Sequence, residues 1–325
     1  MDEKDKTIEF CMKLVHNLQR SDMKSDLSDH VSRVAALFKK EIFMNEFWSD
    51  HVQGVMTLYL SRKLRFDDQF FEQYRRLFAL DENADLQVLE IGCGPGALAE
   101  SLRRWFPNAE ITAIDRDSRF ISFAKANIPG VDFREGDATD LPFEDQSFDV
   151  TISNTVQEHI EPTVFWREQL RVLKPGGICL CLSARKGLGC IAPCLETTTE
   201  EINFWERISS SDDTFEKYGV GKYRLSEAEL PASMEKNGFF DVTTGYVITD
   251  LTPDDPKYSA RMAETMIEAM RQNDLEAIQS AHSADAEKVI AAVNAKYNER
   301  ISLYRKGIKQ WDTTVSVTMI VRGRK

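Results

Sequence analysis

The sequence predicts an α/β protein built on a mostly parallel sheet. From about residue 85 to about residue 250, short apolar runs alternate with stretches of helical periodicity. The runs lie at 87–91, 110–114, 149–153, 178–183 and 241–249. Alternation of this kind is typical of parallel strands joined by crossover helices, because each helix covers one face of the sheet.

A further strand is predicted at the end of the chain. In TTVSVTMIVRGRK (313–325), Val315, Val317, Met319 and Val321 fall on one face of a period-two pattern. We expect this strand to pair with the distant sheet. The helical pattern at 257–309 is therefore an insertion between two strands and not a separate C-terminal domain.

Helical patterns also cover the region before the sheet, residues 1 to about 80. Two more helix starts are predicted later in the chain. Ser226 with Glu229, and Asn273 with Glu276, have the spacing of capping boxes. The predicted division of the chain is a helical lid or substrate region at 1–80, a core at 81–252 with 312–325, an irregular loop insertion within the core at 185–224, and a helical insertion at 253–311.

Composition and charge narrow the class of function. The 325 residues are 42% hydrophobic and 29% charged, with a formal net charge of -12. This acidity argues against nonspecific binding to nucleic acid or anionic lipid, because no basic stripe is present to displace counterions. The charged N-terminus and the absence of a long apolar run predict a cytoplasmic protein without a membrane span. The six cysteines lack CxxC spacing, so we expect free thiols and no metal site, with a thiol or metal site at Cys190 and Cys194 as the alternative.

The stretch VLEIGCGPGALAE (88–100) is a glycine-rich turn between a predicted strand and a predicted helix. Gly92, Gly94 and Gly96 allow the backbone to bend and to approach a ligand closely, and the following helix directs its first amides into the same space. A dinucleotide-binding turn would have GxGxxG, whereas the third glycine here comes one residue early. Asp115 ends the next predicted strand, 19 residues after Gly96 (115 minus 96). That offset suits a carboxylate that accepts from ribose hydroxyls, and a helix N-cap is the alternative.

Two further segments complete a recognisable set of motifs. They are FREGDATDLPFEDQSFDVTISNTVQEHI (133–160) and LRVLKPGG (170–177). With the glycine turn and Asp115, they make the chain resemble the class I S-adenosylmethionine-dependent methyltransferases over about residues 85–250 and the last strand. In detail it is similar to the small-molecule branch that includes ubiquinone and menaquinone biosynthesis methyltransferases. The resemblance implies a Rossmann-like, seven-stranded, mostly parallel sheet with an antiparallel last strand.

The resemblance also implies a cofactor, S-adenosyl-L-methionine, with S-adenosyl-L-homocysteine as the product. It assigns the glycine turn to the methionine part of the cofactor, Asp115 to the ribose and Asp137 with Ala138 to the adenine edge, while Arg116 packs on the adenine face. The strand end at Asn154 and Thr155 would face the sulfonium. The implied cofactor-binding residues are Glu90, Gly92, Cys93, Gly94, Gly96, Asp115, Arg116, Asp137, Ala138, Asn154 and Thr155.

The resemblance also places Glu158 and His159, in the segment VQEHI, close to the cofactor. His159 is the candidate general base, because its ordinary pKa lies near neutrality; the alternative is that it only packs against the following helix. The predicted substrate residues are Trp48, His51, Tyr59, Glu158 and Tyr218. We expect a small-molecule acceptor and no nucleic acid, with a homodimer left open.

Two other functions fit parts of the sequence. An NAD-dependent oxidoreductase would use Asp115 but predicts GxGxxG, and the Tyr218 and Lys222 pattern contains two glycines that disfavour the helix it would need. A non-catalytic cofactor-binding scaffold is the second alternative. The intact glycines and acids favour a functional site over both.

Overall fold

The computed structural model describes residues 48–49, 52–208, 220–281, 283 and 285–325. Within this part of the chain the strands are β1 (Gln87–Ile91), β2 (Glu110–Asp115), β3 (Asp132–Glu135), β4 (Phe148–Asn154), β5 (Leu173–Cys190), β6 (Phe240–Leu251) and β7 (Thr313–Arg324). They form one seven-stranded sheet in the order β3-β2-β1-β4-β5-β7-β6. Strands β1 to β5 pair in parallel, and β7 lies antiparallel between β5 and β6. The predicted sheet and its antiparallel last strand are confirmed.

Helices occupy the connections. The described helices are α1 (Val55–Arg65), α2 (Phe71–Phe78), α3 (Ala97–Trp105), α4 (Ser118–Asn127), α5 (Pro162–Val172), α6 (Thr199–Ile208), α7 (Glu229–Lys236), α8 (Ala260–Ser280) and α9 (Ala286–Arg305). None of the helices in the described part of the chain is long and apolar enough to cross a membrane.

Both faces of the sheet are covered, as the alternation of side chains along β5 shows. Leu180 and Leu182 belong to the core that α2, α3 and α4 complete, whereas Cys179 and Cys181 pack with α5 and α7 on the opposite face. Successive residues of a strand point to opposite faces, so an apolar run of this kind buries itself on both sides. Because helices cover both faces, a ligand would bind at the edge formed by the carboxyl ends of the strands.

The helical insertion is attached to the sheet by a buried ion cluster. In the cluster, Arg300 of α9 donates to Asp312, which precedes β7, and to Asp254, which follows β6; the Nε to Oδ1 distance is 2.9 Å and the Nη2 to Oδ2 distance is 2.8 Å. All three side chains are at most 1% exposed. The cluster therefore fixes α9 at the point where the chain leaves and re-enters the sheet.

Two predicted details are wrong. Asn273 and Glu276 do not begin a helix, because α8 starts at Ser259, whose hydroxyl accepts from the Met262 amide, and continues unbroken to Ser280. The segment 185–224 is not irregular throughout. Strand β5 continues to Cys190 because β7 offers it an antiparallel partner, and α6 follows.

Candidate functional site

A cavity of about 1100 Å³ opens at the carboxyl ends of β1, β2 and β4. Ligands of open α/β sheets bind in this position, where adjacent connections leave on opposite faces. Its volume slightly exceeds the roughly 300–1,000 Å³ of ordinary small-molecule sites. The cavity therefore has room for a cofactor together with a second small molecule.

The glycine turn forms one wall of the cavity. Gly92 and Gly94 have φ of 67° and 54°, in the left-handed region that favours glycine. A Cβ on Gly92 would collide with the Val156 side chain, and one on Gly94 would lie 3.1 Å from Leu58 Cδ2. Gly96 differs, because it caps α3 and packs against Phe133 without lining the cavity. Gly96 thus shapes the turn from behind the cavity lining.

Glu90 and Cys93 lie at the base of the same turn. The Glu90 side chain is buried, and its Oε2 has no hydrogen-bond partner among the described residues. Burial, followed by the nearby charge of Asp115, raises the pKa of Glu90 well above its ordinary value. The Cys93 thiol has a raised pKa from burial and donates to the Gly94 carbonyl at 3.4 Å. Glu90 therefore offers the cavity an unused polar atom, whereas Cys93 is a neutral, hydrogen-bonded thiol.

Asp115 is fixed at the end of β2 by two backbone amides. Its Oδ2 accepts from Gly94 N–H at 2.8 Å and its Oδ1 from Asp117 N–H at 2.9 Å. Burial raises the pKa of Asp115 to about 6, although these two hydrogen bonds oppose the shift. The helix N-cap is Asp117, which accepts from Arg119 and Phe120 amides, so Asp115 itself remains directed to the cavity.

Asp137, Ala138 and Arg116 line the cavity farther along the sheet edge. The Asp137 Oδ1 accepts from the backbone amide and the hydroxyl of Thr139, each at 2.8 Å. This Asx-type turn holds the carboxylate at the cavity lining, and among the described residues no hydrogen bond involves its Oδ2. The three predicted adenine contacts therefore lie on one wall, beyond Asp115.

The end of β4 closes the opposite side. Asn154 and Thr155 both line the cavity, and Thr155 has φ of 56°, which is uncommon for a β-branched residue. Its hydroxyl donates to the Asn154 carbonyl at 2.7 Å and accepts from Arg62 Nη2 at 3.0 Å. Strained backbone of this kind clusters at ligand sites because the surrounding contacts hold it there.

His159 lines the cavity as a neutral, hydrogen-bonded ring. Its Nδ1 accepts the Gly221 amide proton at 2.9 Å, and its ring meets Trp48 edge to face with centroids 4.6 Å apart. Burial, then the charges of Arg116 and Arg224, lowers the pKa of His159 to about 4. Since Nδ1 accepts, the proton of the neutral ring lies on Nε2. This geometry favours the packing alternative over the predicted role as general base.

The predicted substrate residues divide into three groups. Trp48 lines the cavity. Tyr59 and Glu158 do not: the Tyr59 hydroxyl donates to Glu100 at 2.9 Å, and the Glu158 carboxylate faces Arg224 at 3.4 Å. The Tyr59 ring packs instead against Phe123 of α4, with centroids 5.1 Å apart. His51 and Tyr218 lie outside the described residues.

Sequence reasoning missed the contribution of α1. Leu58, Arg62 and Phe66 line the cavity and are spaced four residues apart, so they share one side of the helix. The four-residue spacing is present in the sequence. The aromatic residues nearby, Trp48 and Tyr59, nevertheless favoured a different set of substrate contacts. Tyr223 also lines the cavity and falls within the loop insertion predicted at 185–224.

Part of the chain matches a family of known proteins. Residues 89–181, which carry the turn, Asp115 and the end of β4, match the family model described as a methyltransferase domain. The resemblance to class I S-adenosylmethionine-dependent methyltransferases, predicted from the motifs, is thereby confirmed.

Individual relatives have diverse names. Over 140 residues the chain is 38% identical to a probable phthiotriol/phenolphthiotriol dimycocerosates methyltransferase 2 of Mycobacterium ulcerans, covering 42% of this chain and 53% of that protein. It is 45% identical over 103 residues to a fatty-acid O-methyltransferase of Mycolicibacterium smegmatis, covering 30% and 37%. It is 36% identical over 108 residues to a demethylmenaquinone methyltransferase of Paenarthrobacter aurescens, covering 32% and 42%. The chain spans about half the length of these relatives or less.

Proposed function

We propose that the protein binds S-adenosyl-L-methionine and transfers its methyl group to a small-molecule acceptor. The observation that carries this proposal is the convergence of the Gly92–Gly94 turn and the Asp115 carboxylate on one wall of the cavity. The methyltransferase-domain match over the same residues supports it.

The residues present fit this cofactor. The unpartnered Glu90 Oε2 could accept from the ammonium of the methionine part, and the glycine turn leaves space that a Cβ would fill. Asp115 would accept from the ribose hydroxyls. Asp137 and the Ala138 amide would contact the adenine edge, with Arg116 on the ring face, where a guanidinium can stack.

When bound, the cofactor would supply a methyl group on a positively charged sulfur. The acceptor would attack the methyl carbon in line with the carbon–sulfur bond, and the sulfur would leave. The protein's task is to hold the acceptor in line, near the methyl group, and to exclude water. Asn154 and Thr155 form the adjacent wall, and Val156 and Ile160 make that end of the cavity apolar. His159 would donate a hydrogen bond from Nε2 or shape the wall, because a ring with a pKa of about 4 is a weak base.

The proposal also covers the class of acceptor, the cellular location and the assembly of the protein. The three relatives named above act on different acceptors by their names, so none is transferred to this chain. We infer a cytoplasmic enzyme that acts on a small molecule and not on nucleic acid, in keeping with the net charge of -12. A homodimer is compatible with this function.

Calorimetric titration with S-adenosylhomocysteine, S-adenosylmethionine and NAD tests the proposal. Replacing Asp115→Ala removes the ribose acceptor, and we expect a loss of roughly 10–100-fold in affinity, because hydrogen bonds to a charged group contribute about 1.5–3 kcal/mol each. Asp132→Ala is the matched control, since this carboxylate lies exposed on the neighbouring β3 and outside the cavity lining.

The same titration separates the alternatives. Tight binding of NAD without binding of the sulfur compounds would favour the oxidoreductase and contradict the methyltransferase. Binding of S-adenosylmethionine without transfer of a labelled methyl group to any component of a metabolite extract would favour a scaffold.

A further inference from the structure

Arg62 lies on the cavity wall that the sheet does not provide. It belongs to α1, which lies outside the matched domain at 89–181, and it shares the cavity-facing side of that helix with Leu58 and Phe66. Leu58 sits directly over Gly94 in the glycine turn. Arg62, one turn later, therefore lies between the turn and the end of β4.

The guanidinium of Arg62 has no carboxylate within 4.0 Å among the residues that the structure describes; its hydrogen bond there is the one to Thr155 Oγ1. The next residue, Lys63, shows the ordinary pattern, since its ammonium pairs with Glu100 at 3.2 Å on the outside of α1. Arg62 is half-buried, and a charge partly removed from water without an ionic partner is costly. The environment of Arg62 thus favours an anion supplied by a ligand.

The electrostatic environment agrees with this geometry. Burial, followed by repulsion from Arg65, lowers the pKa of Arg62 to about 9, and Glu158 opposes the shift from a distance. Arg62 therefore remains charged at neutral pH, yet its charge is incompletely compensated. A bound carboxylate would accept from the remaining N–H groups, whose forked arrangement suits two oxygens at once.

The position of the guanidinium is fixed. Thr155 Oγ1 uses its own proton on the Asn154 carbonyl, so a lone pair is left to accept from Arg62. Leu58, Phe66 and Val156 surround this point with apolar surface. A carboxylate held here would therefore be shielded from water beside the strand end.

We propose that Arg62 binds a carboxylate of a ligand in this cavity. The inference rests on the proposed function, which offers two sources of that chemistry. One is the methionine part of the cofactor, and the other is an acceptor that is itself a carboxylic acid with an apolar substituent.

The second source would also define the reaction. A carboxylate oxygen would form the new bond to the methyl carbon while the carbon–sulfur bond breaks and its electron pair stays on sulfur. The product is a neutral methyl ester. No proton leaves the acceptor, so the reaction would need no general base, in agreement with a neutral His159 whose Nδ1 already accepts.

The first experiment compares two nucleosides that differ in the methionine part. S-adenosylhomocysteine carries the carboxylate, whereas 5′-methylthioadenosine lacks it. If the cofactor is the source of the carboxylate, Arg62→Gln weakens binding of S-adenosylhomocysteine about 10–100-fold and leaves binding of 5′-methylthioadenosine unchanged. Arg62→Lys should recover part of the loss. Lys63→Gln, on the same helix but with its ammonium paired to Glu100 outside this cavity, is the control and should bind both compounds normally.

The second experiment titrates the protein saturated with S-adenosylhomocysteine with dodecanoate and with dodecanol. If the acceptor is the source of the carboxylate, Arg62→Gln leaves the affinity for S-adenosylhomocysteine unchanged. The same variant weakens binding of dodecanoate about 10–100-fold and does not change binding of dodecanol.

Two results would overturn the inference. One is an Arg62→Gln protein that binds all four compounds as the unaltered protein does; the other is an equal loss for methylthioadenosine and S-adenosylhomocysteine, which would mean only damage to the wall. Failure of the unaltered protein to bind S-adenosylhomocysteine would instead contradict the proposed function, so the two failures are distinguishable.

Discussion

The cavity has two unlike halves. Its floor is the sheet edge formed by the turns after β1, β2 and β4, and its roof is α1. Floor contacts join neighbouring parts of the chain, such as Gly94 and Asp115, 21 residues apart. Roof contacts join distant parts: Arg62 reaches Thr155 across 93 residues, and Thr57 reaches the Gln272 carbonyl of α8 across 215.

This difference separates the part of the cavity that matches the family model from the part that lies outside the match. The matched methyltransferase domain, residues 89–181, contains most of the floor and none of the roof. The roof rests on the helical insertion, which is itself held to the sheet by the Arg300 cluster. We infer that the floor supplies the contacts to the cofactor that the matched domain shares, whereas the roof and its support add the shape and charge that are particular to this chain.

The largest effect should come from breaking the support of the roof. Arg300→Ala leaves Asp254 and Asp312 buried without their cation, and we expect unfolding to become easier by about 3–5 kcal/mol. Urea denaturation measures this change. Arg305→Ala on the same helix is the matched control, because its ion pair with Glu264 is exposed and should contribute little. Equal effects of the two variants would contradict the assignment of Arg300 as the attachment of the insertion.

A smaller loss is expected from a change in the floor. Gly96→Ala would force a left-handed residue and place its Cβ 2.9 Å from the Phe133 ring, at an estimated cost of about 3 kcal/mol. Gly176→Ala has a similar φ of 77° but open space around the new atom, so about 1 kcal/mol is expected. Denaturation of the two variants side by side isolates the steric part. If they lose equal stability, close packing at Gly96 is not what the turn requires.

The smallest effect concerns His159, whose ring contacts Trp48 at the cavity wall. Because its pKa in the folded protein, about 4, lies below the ordinary 6.5, its contribution to stability is complete above pH 6.5 and is lost as the pH falls toward 4. At pH 5 the loss from this group should be about 2 kcal/mol. His159→Gln, which can still accept from Gly221, should lose correspondingly less stability between pH 7.5 and pH 5.

Comparison of urea midpoints at the two pH values tests this prediction. Groups with raised pKa values, Glu90 and Asp115, titrate in both proteins and therefore cancel. A variant whose stability falls as steeply as that of the unaltered protein would show that His159 is not buried as a neutral ring.

Local sequence patterns predicted those features that depend on near neighbours. The strands appeared as apolar runs, and the capping box of Ser226 and Glu229 is present: the Ser226 hydroxyl accepts from the Glu229 amide at 3.3 Å, and the Glu229 carboxylate accepts from the Ser226 amide at 2.9 Å. The same pattern failed at Asn273, because the tertiary packing of Met266, Ile267 and Ile278 continues α8 through it. A pattern is reliable only where no distant contact competes with it.

The site divides in the same way. The sequence by itself determined the sheet, the glycine turn and the acids at the strand ends, because strand ends, φ angles and short spacings are local properties. The tertiary structure alone decided that Arg62 enters the cavity, that Tyr59 does not, and that His159 is neutral. These outcomes depend on which helix packs over the sheet and on how far each charge is removed from water, and both are set by contacts between residues far apart in the chain.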